Sequence, residues 1–472
     1  MRVRGAANSI CLTMRQSPLH TARGEKAYYG PAFLKPRTAP MAERFDAIVV
    51  GAGPAGSSAA LTLARKKRSV LLVERGRAPG AKNMFGGRVY AWPLFDLLPD
   101  WAKDCPIERT VTQENMAFLS DDSSLSVSLG SSKLSEGRRA SFIALRAKFD
   151  AWLARKAEAE GALVVTGIRV DDLARESGRV HGVVVNPSDR VEADVVVIAE
   201  GASSNLVRRA GLREEVEPRE VSVGVKETIA LSPQVIQERF GLGEQDGAAF
   251  VFAGAPSQGL RGGGFLYTNK ASVSLGLVVS SEDLAHKRVE IQELQTKFRL
   301  HPSIQRYVKG GTLEEYSAHL VPELGLKTIP RLATDGVLVA GDAAGFLINN
   351  GYTFRGVDLA IASGAAAGET ADAALSANDT SASRLTTAYD RALREHHVLS
   401  DLETFARAPA YLKNERLFDV YPRLLIDLAL QVYSVDGETK GRLVETILKQ
   451  TTASGVSRFR LLLDLLQGAR SM

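Results

Sequence analysis

The segment Gly51-Ala52-Gly53-Pro54-Ala55-Gly56 has the composition and spacing that most directly imply chemistry. Glycines at its first, third and sixth positions permit a tight turn, close backbone approach to a pyrophosphate, and close packing of a helix on a strand. A helix starting there turns its amide N–H groups and the positive end of its dipole toward phosphates. Glu74 follows Gly51 by 23 residues. A carboxylate there can accept both hydroxyls of an adenosine ribose and repels a 2′-phosphate. Arg75, beside it, is assigned to the same site. The plainer alternative is a tight strand-to-helix turn with no ligand, and it leaves the distal acid unused. A second segment, Gly341-Asp342-Ala-Ala-Gly345, precedes Gly351 and Gly356. An acid at the end of a strand, beside a glycine-rich helix entry, can hydrogen-bond polyol hydroxyls or simply cap the helix. Paired with the first segment it favours a flavin dinucleotide, because a nicotinamide site needs no second segment so far along the chain.

These groups need elements to hold them. Phe45-Asp-Ala-Ile-Val-Val reads as a buried parallel strand ending at Gly51. Pro54–Lys67 reads as an alanine- and leucine-rich helix, and Ser69-Val-Leu-Leu-Val-Glu as a second buried strand. Together they form a βαβ unit. Residues 77–140 are mixed, with loop signals at Pro79-Gly80, Gly86-Gly87 and Gly137. Phe149–Ala159 is predicted helical. From Val164 to Val196 the pattern is strand, turn at Glu176-Ser-Gly178, strand, turn at Asn186-Pro187, strand. Residues 221–320 alternate in strand-like pieces, with one helical stretch near 288–300. Asp335–Asp342 reads as a buried strand, Val357–Ala374 as a small-residue helix, and residues 385–472 as mainly helical.

The composition bounds the function. Apolar residues make up 45% and charged residues 24%, ordinary for a globular chain. No apolar run approaches the roughly 18 residues of a membrane-spanning helix. Seven basic side chains against one acid in the first 40 residues exceed the formal net charge of +5, so the body is close to neutral. A nucleic-acid partner therefore has no electrostatic footprint there. Residues 1–43 read as a basic, disordered leader; a transit peptide is the competing reading. Two cysteines, Cys11 and Cys105, exclude a disulfide framework, a CxxC-type metal site and a four-thiolate iron–sulfur cluster within this chain. They also suit a reducing compartment. His396-His397 invites a metal reading, but adjacent helical residues point about 100° apart, so both are expected on the surface of a polar helix.

The two glycine segments together resemble the FAD site of the glutathione-reductase/p-hydroxybenzoate-hydroxylase superfamily. More narrowly, the chain is similar to FixC and its relatives, the electron-transfer flavoprotein:quinone oxidoreductases. The stretches that carry the likeness are Gly80–Tyr90, Leu145–Leu153, Thr166–Leu173, Gly224-Val-Lys-Glu227, Gly262–Asn269, Tyr316-Ser-Ala-His319 and Gly351–Ala360. The resemblance implies an α/β fold (α+β overall). It consists of a Rossmann-like FAD-binding domain, an interleaved antiparallel-sheet substrate/quinone domain and a helical C-terminal region. The expected boundaries are 44–220 with 321–395, then 221–320, then 396–472, and 77–140 is shared in part with the second domain.

Carried over residue by residue, the resemblance places Gly51, Gly53 and Gly56, with Ala52, Pro54 and Ala55 between them, at the FAD pyrophosphate, and Glu74 and Arg75 at the adenosine end. It gives Arg146 to the phosphates, the Val170 backbone to adenine, and Gly341 and Asp342 to the ribityl chain. The backbone around Gly351, Tyr352 and Thr353 would face the isoalloxazine. Ala199–Arg208 reads as support for the FAD domain, departing from the superfamily pattern at Glu200 and Asn205. Gly262-Gly-Gly264 would allow close approach over the flavin, or mark a strand bend. The resemblance further implies an electron relay with no catalytic side chain. Electrons arrive from a FixA/FixB-type electron-transfer flavoprotein and leave to a FixX-type ferredoxin or to quinone. It implies a cytoplasmic protein, with contact at the inner face of the membrane as a further expectation. Arg458–Leu466 is amphipathic with basic flanks, suited either to a membrane or partner surface or to packing on the core. The competing function is a single-component flavin monooxygenase or a geranylgeranyl-reductase-type FAD enzyme, since fold alone does not decide function.

Overall fold

The computed structural model describes residues 44–81, 87–186, 189–203, 205–215, 217–323, 326 and 329–472. The expected leader, residues 82–86 of the Gly80–Tyr90 stretch and Pro187 of the second turn lie outside the described residues.

The first sheet is built on apolar strands. Phe45–Val50 runs parallel between Val70–Glu74 and the second half of Asp189–Ile198, with Ile48 opposite Leu71 and Val196. Leu163–Thr166 and Val337–Val339 extend it in parallel on either side. The first half of Asp189–Ile198 instead pairs antiparallel with Arg179–Val185, which forms a hairpin with Val170–Glu176. That hairpin turns at Ser177 (φ 49°) and Gly178 (φ 85°). Two successive positive φ values suit the right-handed twist of the paired strands.

Two helices cover the sheet and fix the site. Pro54–Arg65 starts with proline, whose fixed φ and missing N–H suit a first helical position. Val357–Ser376 buries a face of alanine, glycine, serine and threonine. A Cβ on Gly364 would overlap the Ala55 carbonyl, and one on Gly368 would stand 2.9 Å from the Ala59 carbonyl. The two helices therefore meet backbone to backbone, which larger residues would prevent.

The second sheet draws on two stretches of chain. Its order is Thr312–Pro322, Val221–Ala230, Ser272–Ser280, Gly262–Thr268, Asp246–Gly254, Arg109–Leu119, Ser141–Ile143 and Arg88–Tyr90, and Ser124–Gly130 pairs with Arg109–Leu119. Arg109, 1% exposed, donates 2.9 Å hydrogen bonds to the carbonyls of Gly243, Glu244, Asp246 and Asn269. A buried cation is tolerated when carbonyl oxygens gather around it in this way. It ties the residue 88–143 strands to the residue 246–268 strands.

Several expectations need correction. Residues 77–140, read as mixed with no strand singled out, contain two long strands, Arg109–Leu119 and Ser124–Gly130. Their alternating positions carry Thr, Gln, Glu, Asn and Ser, so no apolar run marks them. The 149–159 helix begins at Arg146, because its first turn is held by an ion pair and not by apolar periodicity. Residues 221–320 hold four helices, Pro233–Phe240, Ser281–Lys287, Ile291–Leu300 and Pro302–Val308; three are too short to show a period. The expected 335–342 strand is only Val337–Val339, and Gly341–Ala344 is a 3₁₀ turn. His396 and His397 sit at a helix junction and not on a helical face. His397 takes a left-handed conformation (φ 58°), and His396 Nε2 pairs with Glu369 at 2.9 Å. Gly262–Gly264 make room for their own sheet and for the Phe298 ring.

The C-terminal helix Arg458–Ser471 docks by its polar side. Asp464, 1% exposed, accepts from Arg416 Nε (2.8 Å) and Tyr421 Oη (2.5 Å). Burial and this hydrogen bond push the Tyr421 phenol up to about 12. Phe459, Leu462, Leu465 and Leu466 remain exposed, so the core-packing alternative for this helix does not hold. Gly364→Val tests the helix contact. Overpacking there should cost about 1–3 kcal/mol, seen as a lower urea midpoint; an unchanged midpoint would show that the helices can separate freely.

Candidate functional site

A cleft of about 610 Å³ opens where the two glycine segments meet. This lies within the roughly 300–1,000 Å³ range of small-molecule sites. Its floor follows from the first βαβ unit. Gly51 has φ +102°, and a Cβ there would strike the Ala199 carbonyl. Glycine is therefore required for the strand to turn into the helix. The Glu74 carboxylate accepts from Ala52 N (3.0 Å) and Gly76 N (2.6 Å), so the acid braces the loop as well as facing the cleft. Gly51, Gly53, Pro54, Ala55, Glu74, Arg75 and Val170 line the cleft. Ile168 N donates to Glu74 O at 3.1 Å, which brings the Val170 hairpin to the same end.

The second segment closes the cleft from the other side. Gly341 packs near Ala55, and its N–H donates to Ser363 Oγ at 3.0 Å. Asp342 lines the cleft, and its carboxylate accepts no hydrogen bond among the described residues. Arg146 faces the same space with Nε and Nη2 bonded to the buried Asp150 at 2.7 and 2.9 Å. Both partners are nearly or fully buried. Such a pair is a fixed, preoriented cation, and it is costly to break from one side.

Some predicted residues take other roles. Ala52, Gly56 and Gly341 sit behind the wall as backbone and packing elements. Gly351, Tyr352 and Thr353 form the tip of the Ile348–Asn349/Phe354–Arg355 hairpin and do not line the cleft. Thr353 N and Oγ1 both donate to Asn350 Oδ1, and Tyr352 Oη donates to the Met472 carbonyl at 2.8 Å. The tight turn points them outward, and Leu347, Phe354 and Gly356 line the cleft instead. Glu200 caps the short Asn205–Arg209 helix by accepting from Leu206 N (2.6 Å), and it also faces the cleft.

Among the cleft residues that carried no assigned role in the sequence are Arg88, Tyr267, His319 and Asp358. All lie in stretches that carry the family resemblance, yet three come from the second sheet, so no local spacing connects them to the glycine motifs.

Electrostatics set His319 and Asp342 against each other. Burial holds the His319 imidazole below its ordinary 6.5, aided by Arg146 and Arg75 and opposed by Asp342. Burial raises the Asp342 carboxyl, and His319 and Arg146 pull it back. A histidine with a lowered folded value binds fewer protons than in the unfolded chain. Its contribution to stability is present above about 6.5 and is lost as pH falls through the lowered value. Asp342 acts oppositely, regaining stability as it protonates. The two groups act in opposite directions, so the readable quantity is a difference: in cofactor-free protein His319→Gln should lose less urea resistance than wild type as pH falls from 7.5 to 5.5. Identical losses in both proteins would contradict the assignment.

Comparison with known proteins agrees with this geometry. The family "FAD dependent oxidoreductase" matches residues 46–119 and 143–370, and "ETF-QO/FixC family C-terminal domain" matches residues 408–472. The chain is 44% identical to the probable electron transfer flavoprotein-quinone oxidoreductase YdiS of Escherichia coli K12, covering 91% of this chain and 99% of that one. It is 44% identical to Protein FixC of the same organism, covering 86% and 94% respectively. A crystal structure of a geranylgeranyl bacteriochlorophyll reductase-like protein from Thermoplasma acidophilum shares the fold, with TM-score 0.66 at 22% identity over 90% of this chain and 99% of that one. No helix among the described residues is long and apolar enough to cross a membrane. The chain uses FAD, and with both halves of the site and the C-terminal region accounted for, it belongs to the ETF-QO/FixC family of FAD-dependent electron-transfer oxidoreductases.

Proposed function

We propose that the cleft holds FAD in an order given by its walls. The adenosine would lie at Glu74, Arg75 and Val170. The pyrophosphate would lie over the Gly51–Gly56 loop and its helix N-terminus, near Arg146, and the ribityl chain beside Asp342. The redox ring would reach the end formed by Tyr267, Phe354 and Gly356. The observation that carries this reading is Asp342: a carboxylate facing the cleft with no hydrogen-bond partner among the described residues has the chemistry to accept polyol hydroxyls. The first turn of Pro54–Arg65 contains no acid to repel phosphates. FAD supplies the redox chemistry when bound. The chain's own groups bind it, orient it and hold fixed charges around it.

The same reading extends to partners. Electrons would come from a FixA/FixB-like electron-transfer flavoprotein and leave to a FixX-like ferredoxin subunit or to quinone. The names of the 44% identical relatives and the thin cysteine content support this. Exposed Leu443, Val444, Phe459, Leu462 and Leu466 give the C-terminal helices a surface suited to a partner or to the face of a membrane.

Three measurements test these assignments. Asp342→Ala should weaken FAD binding about 10- to 100-fold, the loss of hydrogen bonds to a charged group; unchanged FAD content would make Asp342 a structural residue only. Anaerobic mixing with a reduced FixA/FixB-type flavoprotein should bleach the 450 nm flavin band, and NADPH should not. Rapid NADPH oxidation by the lone chain would favour the monooxygenase reading instead. With anionic vesicles at low salt, the same preparation should co-sediment; protein left in the supernatant would remove the membrane contact.

A further inference from the structure

Two of the family-matching stretches meet at the cleft wall, where Gly87, Arg88 and Tyr267 line it. A Cβ on Gly87 would stand 2.1 Å from Tyr267 Cδ2, so the Tyr267 ring packs directly against the Gly87 backbone. Phe265 stacks on Tyr267 at 5.3 Å between centroids. These contacts hold a 9% exposed phenol against the cleft wall. Its hydroxyl makes no hydrogen bond among the described residues. Beside it, Arg88 is clamped to both oxygens of Glu114, donates to Ser141 Oγ at 3.1 Å, and lies 4.3 Å from the Tyr90 ring centroid. The cation is thus neutralised and immobile. Burial pushes the Tyr267 phenol up to about 12, opposed by Arg88 and aided by Glu114, so it remains an O–H donor across the physiological range. Tyr90 offers a contrast: its hydroxyl is also buried without a partner, but it does not line the cleft.

We propose that the Tyr267 hydroxyl is a hydrogen-bond donor to the redox ring of FAD and favours the reduced cofactor. The inference rests on the cofactor placement given above. Reduction adds electron density to the ring, and a fixed donor stabilises the more negative state more than the neutral one. A side chain on Gly87 would displace the Tyr267 ring from that backbone, which gives the Gly80–Tyr90 and Gly262–Asn269 stretches a common purpose.

The test is a redox titration of the FAD-loaded full chain as wild type, Tyr267→Phe and Tyr90→Phe. Tyr267→Phe keeps the ring and removes one oxygen. At fixed potential its reduced-to-oxidised ratio should fall about tenfold, as for loss of one hydrogen bond to a charged group. For a two-electron couple that is a shift of about 30 mV to more negative potential. Tyr90→Phe, which removes an equally buried phenol beside the same arginine, should titrate as wild type. Loss of flavin from folded Tyr267→Phe, with flavin retained by Tyr90→Phe, would also place the hydroxyl on the cofactor. A potential unchanged in Tyr267→Phe, or shifted equally in both variants, would overturn the proposal. Wild-type protein without flavin would overturn the cofactor placement itself, before any variant is compared.

Discussion

The contact between Ala55 and Gly364 governs the arrangement of the site. There the helices Pro54–Arg65 and Val357–Ser376 touch with no side chain between them. Because they cross so closely, Gly53 and Gly356, the residues that precede their first turns, open onto one cleft. Two helix N-termini from different parts of the chain then face the same cleft. The same closeness sets Gly341 against Ala55 and Asp342 beside the glycine loop. A single bulky residue at the crossing would separate all of these groups at once. This physical constraint explains the run of Ala, Gly, Ser and Thr in a helix that has little else to mark it.

The cleft wall also shows a common device for its cations. Arg146 is held by Asp150, Arg88 by Glu114, and Arg355, just behind the wall, by Asp358 and Asp401. Each pair largely cancels its charge and loses motion in the protein, so little reorganisation remains when a ligand enters. Such pairs are weak evidence for stability, since desolvation offsets their attraction. Their value here is direction: donors of known position around a bound dinucleotide. Asp342 differs from the wall carboxylates Glu74 and Glu200, which accept from backbone N–H groups: its carboxylate accepts no hydrogen bond among the described residues. That absence singles it out as an acceptor for a ligand.

Much of this was legible in the sequence, for local reasons. The strand–loop–helix unit, Glu74 and Asp342 are set by residues within a few turns of one another, and glycine has few substitutes where φ is positive or backbones meet. What stayed hidden is nonlocal. Arg88, Tyr267 and His319 reach the cleft from the second sheet, and their positions depend on strand pairings distant in sequence, such as Arg88 with Ile143 and His319 with Gly224. Arg109–Leu119 escaped notice because its buried members include Arg109 and Asn115, whose burial is made tolerable by carbonyls elsewhere. The terminal helix was ambiguous because its pattern showed an apolar face without saying which way it turned. Asp464 settled that through Arg416 and Tyr421, 48 and 43 residues upstream.

The order of groups along the cleft is the centre of the account, and a crystal structure of the FAD-loaded chain tests it most directly. The account predicts adenosine against Glu74 and Val170, pyrophosphate over Gly53, ribityl hydroxyls within hydrogen-bond distance of Asp342, and the ring between Tyr267 and Gly356. A dinucleotide running in the reverse direction, or bound outside this cleft, would contradict it.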